Sequence, residues 1–337
     1  MIVLAGRVLL ALAVSVALAA AQDTVLRGPL SGLLVDPAGR SLRAIVGMPG
    51  AAYAGDPSVS GVDFASAAPN GETALVSRNG GVSIVHALQT GTPAWLELSG
   101  QTPGISLAAW SGSADSLALL DSAARRLDLW SNLSAEPARL GSVDLTAISD
   151  PVVSLAVLPD GLHAFAAVQG ETSAALYLLT PGETPRLLVP LARAGALLLS
   201  GGELFAADLG RNEVLRIANW DRNPSVTAAA PSGLGLDGPV GIALSADRSL
   251  LYVANARSRQ VLTVDLASAS VRNTLDLDFI PTRLERLGPG SLYLLDRGVA
   301  GAQPAQLLDT AAQRVWFVPV SRSSDPAAAP APSPVQR

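Results

Sequence analysis

The sequence predicts an all-β protein built from repeated units of four short strands, and three observations lead to this prediction. Residues 239–275 contain four short apolar runs separated by polar turns, a strand-and-turn pattern. Similar pairs of runs recur along the chain, with starts about 42 to 47 residues apart, which is the spacing of β-propeller blades. Charged residues make up only 15% of the chain, as in sheets that are covered on both faces.

The two ends of the chain are predicted to lie outside this repeat. Residues 1–21 carry one positive charge, Arg7, then an apolar run and three alanines before Gln22, which is the pattern of a secretory signal peptide. A membrane anchor formed by the same residues is the alternative. Residues 321–337 are rich in Pro, Ala and Ser, which predicts an extended, disordered tail. The propeller domain is therefore assigned to residues 22–320.

Composition excludes several kinds of chemistry. The chain has no Lys and no Cys, so it lacks Schiff-base lysines, thiol nucleophiles, disulfides and thiolate metal sites. Removal of Arg7 with the signal peptide takes the formal charge from -5 to -6, which argues against a nucleic-acid partner. No later run has the length of a membrane span. We expect a monomer in the periplasm or outside the cell.

The repeat divides into an inner hairpin, formed by the first and second strands, and an outer hairpin, formed by the third and fourth. Six inner hairpins are predicted, and seven outer ones, because residues 33–46 resemble an outer hairpin with no inner one before it. Two arrangements follow. In a seven-bladed ring, residues 24–30 and 47–61 complete the first blade; in a six-bladed ring, the extra N-terminal hairpin decorates it. We take seven four-stranded blades as the prediction. The inner hairpins start at Val62, Ile105, Val152, Ala196, Val240 and Thr282.

One unit resembles a known repeat family. Residues 239–247 (PVGIALSAD), 251–255 (LYVAN) and 261–265 (VLTVD) are similar to the YVTN (YncE-like) β-propeller repeat, with NHL-repeat and lactonase-like propellers as broader relatives. This resemblance implies an extracytoplasmic bacterial propeller used mainly for binding. It implies no reaction.

A column of polar residues ends the predicted second strands. Carboxylates and amides in a ring could hold Ca²⁺ or another divalent cation through oxygen ligands. Alternatively, each side chain bonds the backbone of its own turn, which requires no ligand. A second column, which ends the third strands and is expected on the opposite face, consists of Asp36, Thr180, Asn219, Asp265 and Asp309. The first column consists of Ser77, Asp121, Asp208, Asn255 and Asp296.

Glu285 is the one glutamate predicted inside a first strand, flanked by Arg283 and Arg286. With these neighbours it forms either a buried ion pair that faces the channel or part of a solvated channel wall. A metal-dependent hydrolase on this fold would use it as its carboxylate. The predicted function is a non-enzymatic binding or scaffold module that needs no cofactor. Its ligand, an unknown protein or carbohydrate, is expected on the face formed by the second-to-third turns and the connections between blades. The alternative is a metal-dependent, lactonase-like hydrolase on the same fold.

Overall fold

The structure is a computed structural model that describes residues 29–88, 93–296 and 304–320. The predicted signal peptide (1–21) and tail (321–337) lie outside these residues. The described part contains 27 strands and one short 3-10 helix, Ser232–Leu234, and no helix in it is long and apolar enough to cross a membrane. The strands are β1 (Leu30–Asp36), β2 (Ser41–Val46), β3 (Tyr53–Ser60), β4 (Phe64–Ala67), β5 (Ala74–Arg78), β6 (Gly81–His86), β7 (Ala94–Glu97), β8 (Leu107–Trp110), β9 (Ser116–Asp121), β10 (Arg126–Ser131), β11 (Ala138–Asp144), β12 (Val152–Val157), β13 (Ala164–Gln169), β14 (Ala174–Leu179), β15 (Arg186–Leu191), β16 (Ala194–Ser200), β17 (Glu203–Asp208), β18 (Glu213–Ala218), β19 (Ser225–Ala230), β20 (Pro239–Leu244), β21 (Leu250–Asn255), β22 (Gln260–Asp265), β23 (Ser270–Asp276), β24 (Glu285–Arg286), β25 (Leu292–Asp296), β26 (Ala305–Asp309) and β27 (Arg314–Val318).

These strands form seven antiparallel sheets arranged in a ring. Blade 1 contains β1–β3, and each later blade contains four consecutive strands, from β4–β7 in blade 2 to β24–β27 in blade 7. Residues from the first strands of blades 2 to 7 surround one central channel. The structure confirms the predicted seven-bladed β-propeller, and the six-bladed alternative is wrong.

Blade 1 has three strands among the described residues, and they take the second, third and fourth positions of a blade. The N–H of Val62 donates to the carbonyl of Arg40 (3.0 Å), and the N–H of Asp63 donates to the carbonyl of Ser77 (2.8 Å). The β1–β2 turn therefore lies beside the end of β5, a second strand. At its other end, β1 packs at Gly32 against Leu287, in the first-to-second turn of blade 7.

The prediction that residues 33–46 form an outer hairpin is therefore wrong by one position. The hairpin supplies the second and third strands, and β3 supplies the fourth. The burial of β1, whose last five residues are all buried, matches the second strands β17 and β21. Apolar alternation shows that a run is a strand but does not show its position in a sheet. Of the two segments expected to complete this blade, 47–61 contains β3, and 24–30 lies almost entirely outside the described residues.

The ring closes between blades 7 and 1. Ala54 pairs with Ile45 inside blade 1 and also forms an isolated parallel bridge with Val320, with its N–H donating to the carbonyl of Pro319 (2.8 Å). Around this bridge, Leu34 and Ile45 of blade 1 pack against Leu307 and Val318 of blade 7. The contact joins segments from the two ends of the described chain.

The core lies between neighbouring blades. Between blades 4 and 5, for example, Phe165 and Ala167 of β13 pack with Leu204 and Ile217. Second strands are buried almost throughout: every residue of β9 is buried, and in β13 only the last is not. Because a neighbouring blade covers each face of a sheet, the strands consist of continuous apolar runs with many alanines. This accounts for the low charge content of the chain.

Phe165→Ala should lower the free energy of unfolding by about 4 kcal/mol, because the buried ring leaves a cavity between blades 4 and 5. Urea unfolding followed by circular dichroism measures the loss. The matched control is Phe317→Ala on β27, where the ring is 51% exposed, and it should cost less than about 1 kcal/mol. Equal losses in the two variants would contradict a core placed between the blades.

Candidate functional site

The polar column predicted at the ends of the second strands lies on one face of the ring. We call this the loop face; it carries the second-to-third turns and the connections between blades. Asp36, which ends β1, belongs to this column and not to the third-strand column in which the sequence placed it. Asp36 accepts a hydrogen bond from the N–H of Gly39 (2.8 Å), as Asp121 does from Ala124 (2.9 Å). With Gln169 at the end of β13, each blade contributes one polar side chain.

Asp208 shows most clearly what these side chains do. It is fully buried and its two carboxylate oxygens accept five hydrogen bonds. Two come from the N–H groups of Ala192 and Arg193, in the connection that enters blade 5. Three come from the turn after β17: the N–H groups of Gly210 and Arg211 and the guanidinium of Arg211 (3.1 Å). Asp208 thus fastens the incoming connection to the turn after the second strand.

Other members of the column make the same link with fewer bonds. Asp121 accepts from the hydroxyl of Thr102 (3.3 Å), and Asn255 Oδ1 accepts from the N–H of Asp237 (3.2 Å). Asp296 accepts from the hydroxyl of Thr282 (2.8 Å). Gln169 differs: it ends β13 in blade 4, and its Oε1 accepts from the N–H of Ala194, the first residue of β16 in blade 5 (2.8 Å). Ser77 is fully buried, and its hydroxyl has no hydrogen-bond partner.

Asp121, Asp208, Asn255 and Asp296 therefore bond within their own blades, whereas Gln169 reaches the next blade and Ser77 has no partner. In the described ranges, no three or more His, Asp or Glu side chains come close enough together to hold a metal ion. The oxygen atoms of Asp208, in particular, are directed at backbone donors. The geometry of the column is that of separate clamps between a connection and a turn.

Carboxylates at the ends of the third strands also bond to their own turns, on the opposite face of the ring, which we call the turn face. A hydrogen bond from the backbone N–H of Ser268, together with the guanidinium of Arg272, holds the pKa of Asp265 far below its usual value. Burial alone would raise the pKa of Asp309, but hydrogen bonds from Ala312 and Ser291 outweigh it and the pKa is lowered. Both carboxylates are therefore ionised at neutral pH and stabilise their turns.

A cavity of about 730 Å³ lies in the central channel. The later halves of the first strands and the turns that follow them line it. No residue of a second-to-third turn does so among the described residues. The cavity therefore opens on the turn face, away from the clamps. Its wall is mainly aliphatic and includes Leu33, Val35, Leu155, Val157, Leu197, Leu199, Ile242 and Leu244.

Three charged residues line this cavity, all in blades 6 and 7. Glu285 is exposed and accepts a hydrogen bond from the guanidinium of Arg283 (2.7 Å). Arg286 donates to the hydroxyl of Tyr293 (3.0 Å), which itself donates to the carbonyl of Leu244 (3.1 Å). Arg248 lies in the first-to-second turn of blade 6. Burial raises the pKa of Tyr293, so its hydroxyl stays protonated and keeps its donor role.

The structure thus separates the predicted site residues. Glu285 lies in the channel, whereas Ser77, Asp121, Asp208, Asn255 and Asp296 lie on the loop face, one to a blade. Sequence reasoning missed the apolar cavity, although a signal for it exists. Apolar runs occupy several first strands, and these strands surround the channel once the sheets form a ring.

Comparison with known proteins supports the fold and goes no further. No protein-family model and no curated protein matches the chain. A catalytically inactive virginiamycin B lyase from Staphylococcus aureus, solved with quinupristin, is similar with a TM-score of 0.53 and 14% identity, over 75% of this chain and 82% of that one. Two weaker likenesses are the nidogen/laminin complex (TM-score 0.46, 13% identity, 73% and 93% covered) and the Cps50 (Swd1) β-propeller domain of Myceliophteria thermophila (TM-score 0.43, 12% identity, 70% and 93% covered).

The fold and its neighbours place the chain in the class of seven-bladed β-propellers. The particular features of this one are the clamps on the loop face and an aliphatic cavity that opens on the turn face.

Asp208→Ala should lower the free energy of unfolding by about 3 kcal/mol, because buried N–H donors lose their acceptor. Asp296→Ala, at a half-buried position, should cost about 1 kcal/mol. Both losses, measured by urea unfolding, should be the same with calcium and with a chelator. A loss for Asp208→Ala that occurs only when calcium is present would contradict the clamp and favour a metal site.

Proposed function

We propose that this propeller is a non-enzymatic binding protein that takes its ligand into the central channel from the turn face. The observation that carries the proposal is the aliphatic cavity of about 730 Å³, the volume of a small-molecule site. Leu197 and Leu199 of this wall are only partly buried, so a ligand that covers them removes apolar surface from water. The rigid ring of blades supplies a preformed site.

The polar residues at the mouth fit this role. Small-molecule sites combine an apolar wall with a few polar groups that orient the ligand. Here those groups include Arg248, Arg286 and Trp110, whose indole N–H donates to the hydroxyl of Ser66 (3.0 Å). The loop face remains available for a protein or carbohydrate partner, and the proposal does not depend on one.

A metal-dependent lactonase is the alternative, and the position of Glu285 in the channel is the observation that favours it. Such an enzyme needs several oxygen ligands around one cation and a group that activates water. Thermal unfolding with calcium and with a chelator, together with assays on a panel of lactones, separates the two functions. A large calcium-dependent rise in melting temperature with lactone hydrolysis would replace the binding proposal.

We also propose that the protein functions outside the cytoplasm and is related to the YVTN (YncE-like) propellers. The signal-peptide pattern of residues 1–21 supports the first statement. The likeness of residues 239–275 to that repeat supports the second. The absence of cysteine is compatible with an oxidising compartment, because no thiol is present to be oxidised.

Expression of the full chain in a bacterium with a secretion pathway should give a processed protein whose N-terminus is Gln22. Edman sequencing of the periplasmic or culture fraction measures this. Ala19→Arg and Ala21→Arg, introduced together, should block processing, because the cleavage site requires small residues. An unprocessed wild-type chain that stays in the cytoplasm would contradict the proposal.

The mature protein should bind the neutral fluorescent dye N-phenylnaphthylamine, because the cavity wall is aliphatic. Ser200→Trp should weaken dye binding by about tenfold or more, since Ser200 lines the mouth and the larger ring blocks it. Ser232→Trp, at an exposed position in the connection before blade 6, is the matched control and should bind as wild type does. Equal binding by the two variants would place the dye outside the channel and contradict the proposal.

A further inference from the structure

We propose that the ligand of the channel is an anionic amphiphile: one apolar chain lies along the aliphatic wall, and its carboxylate binds Arg248 and Arg286 at the mouth. This inference rests on the proposed binding function and names the chemical class of the ligand. It excludes cationic amphiphiles and ranks carboxylates above alcohols of the same length.

The position of Arg248 suits the binding of an anion, because its guanidinium lines the cavity and is not taken up by an ion pair among the described residues. It lies in the first-to-second turn of blade 6 with a φ of 59°, and it lines the cavity. In the part of the chain that the structure describes, its guanidinium has no hydrogen bond and no ion pair. The neighbouring carboxylate, Asp247, accepts instead from the hydroxyl groups of Ser245 and Ser249.

Gly201 leaves room for the Arg248 side chain at the rim of the channel. The Nη1 atom of Arg248 packs against Gly201 in the turn of blade 5, so closely that a Cβ at Gly201 would overlap it. Gly201 and Gly202 both have positive φ, 61° and 80°, which favours glycine in any case. The guanidinium of this exposed side chain therefore reaches from blade 6 to blade 5 beside the cavity.

Arg286 provides a second cation held in one place. The hydroxyl of Tyr293 accepts from it at 3.0 Å, and its guanidinium carbon lies 5.4 Å from the centre of the Tyr293 ring. Tyr293 is buried, and it is anchored by the bond that it donates to Leu244. One guanidinium edge is used for this contact, which leaves other N–H groups of Arg286 for a carboxylate.

The charge balance at the mouth favours an anion. Among the residues that line the cavity, the two cations Arg248 and Arg286 stand against one carboxylate, Glu285, which pairs with Arg283. Guanidinium groups bind carboxylates through paired, charge-assisted hydrogen bonds. The rest of the described lining carries no charged side chain, so a second charge on the ligand would have no counter-ion there and would be costly to desolvate.

The test is displacement of bound N-phenylnaphthylamine at low salt by decanoate, decanol and decyltrimethylammonium. Decanoate should displace the dye at about one tenth of the concentration that decanol requires, and decyltrimethylammonium should be the weakest. Arg248→Gln should reduce the preference for decanoate over decanol to about twofold or less, with displacement by decanol unchanged. Raising the salt concentration should reduce the same preference, because a mouth open to solvent is screened.

Arg259→Gln is the matched control. Arg259 is also an exposed arginine of blade 6, with a φ of 54° and no side-chain partner in the described ranges, but it lies on the loop face. It should keep the full preference for decanoate. Arg286→Gln is the second variant and should also reduce that preference; a melting temperature measured for each variant establishes that it folds.

The outcomes distinguish this inference from the function on which it rests. If the dye binds and decanoate and decanol displace it equally, the channel is a binding site but the assignment of an anionic ligand is overturned. If Arg248→Gln and Arg259→Gln reduce the preference equally, the effect is one of net charge and the inference is overturned. If the dye does not bind in the channel at all, the proposed function and the inference both fail.

Discussion

The structure depends on the packing of each sheet against the next. Four-stranded antiparallel sheets have two apolar faces here and no helices to cover them, so each sheet is covered by its two neighbours. This arrangement is complete only when the last sheet packs against the first. The consequence is visible in the composition: the strands in the middle of a blade can tolerate few charges, and alanine is frequent where two backbones approach. The clamps centred on residues such as Asp208 then fix the connection by which each blade follows the last.

Local patterns predicted most of this fold, because strands and turns are encoded over short distances. Alternating apolar runs and the turn residues gave the strands of blades 2 to 7 and the number of blades. The error concerned blade 1, where residues 33–46 take the second and third positions. A spacing in the sequence does indicate that this hairpin takes the second and third positions of its blade. Asp36 is followed four residues later by Arg40 with positive φ, as Asp121 is by Arg125, and these two turns are equivalent.

The site could be predicted only in part, for a physical reason. The position of a residue in a turn is encoded by its neighbours in the sequence, so the sequence predicted the column that contains Asp121, Asp208 and Asn255. Which donor each side chain bonds is not local, since Ala192 and Arg193 approach Asp208 only after the blade has formed. The cavity is still harder to predict from the sequence. It is formed by single strands from different blades, and the cations at its mouth, Arg248 in a turn of blade 6 and Arg286 in β24 of blade 7, are far apart in the sequence.

The bridge between Ala54 and Val320 gives the ring one joint that differs from the rest. At each of the other interfaces, the polypeptide passes directly from one blade to the next, so two sheets that part remain tethered at short range. Among the described residues, blades 7 and 1 are joined by a backbone bridge and a shared apolar cluster. In mechanical terms, this joint is the weakest interface of the ring. We therefore expect thermal or applied strain in the ring to be released first at this joint, and the blades to unfold one after another from the ends exposed there.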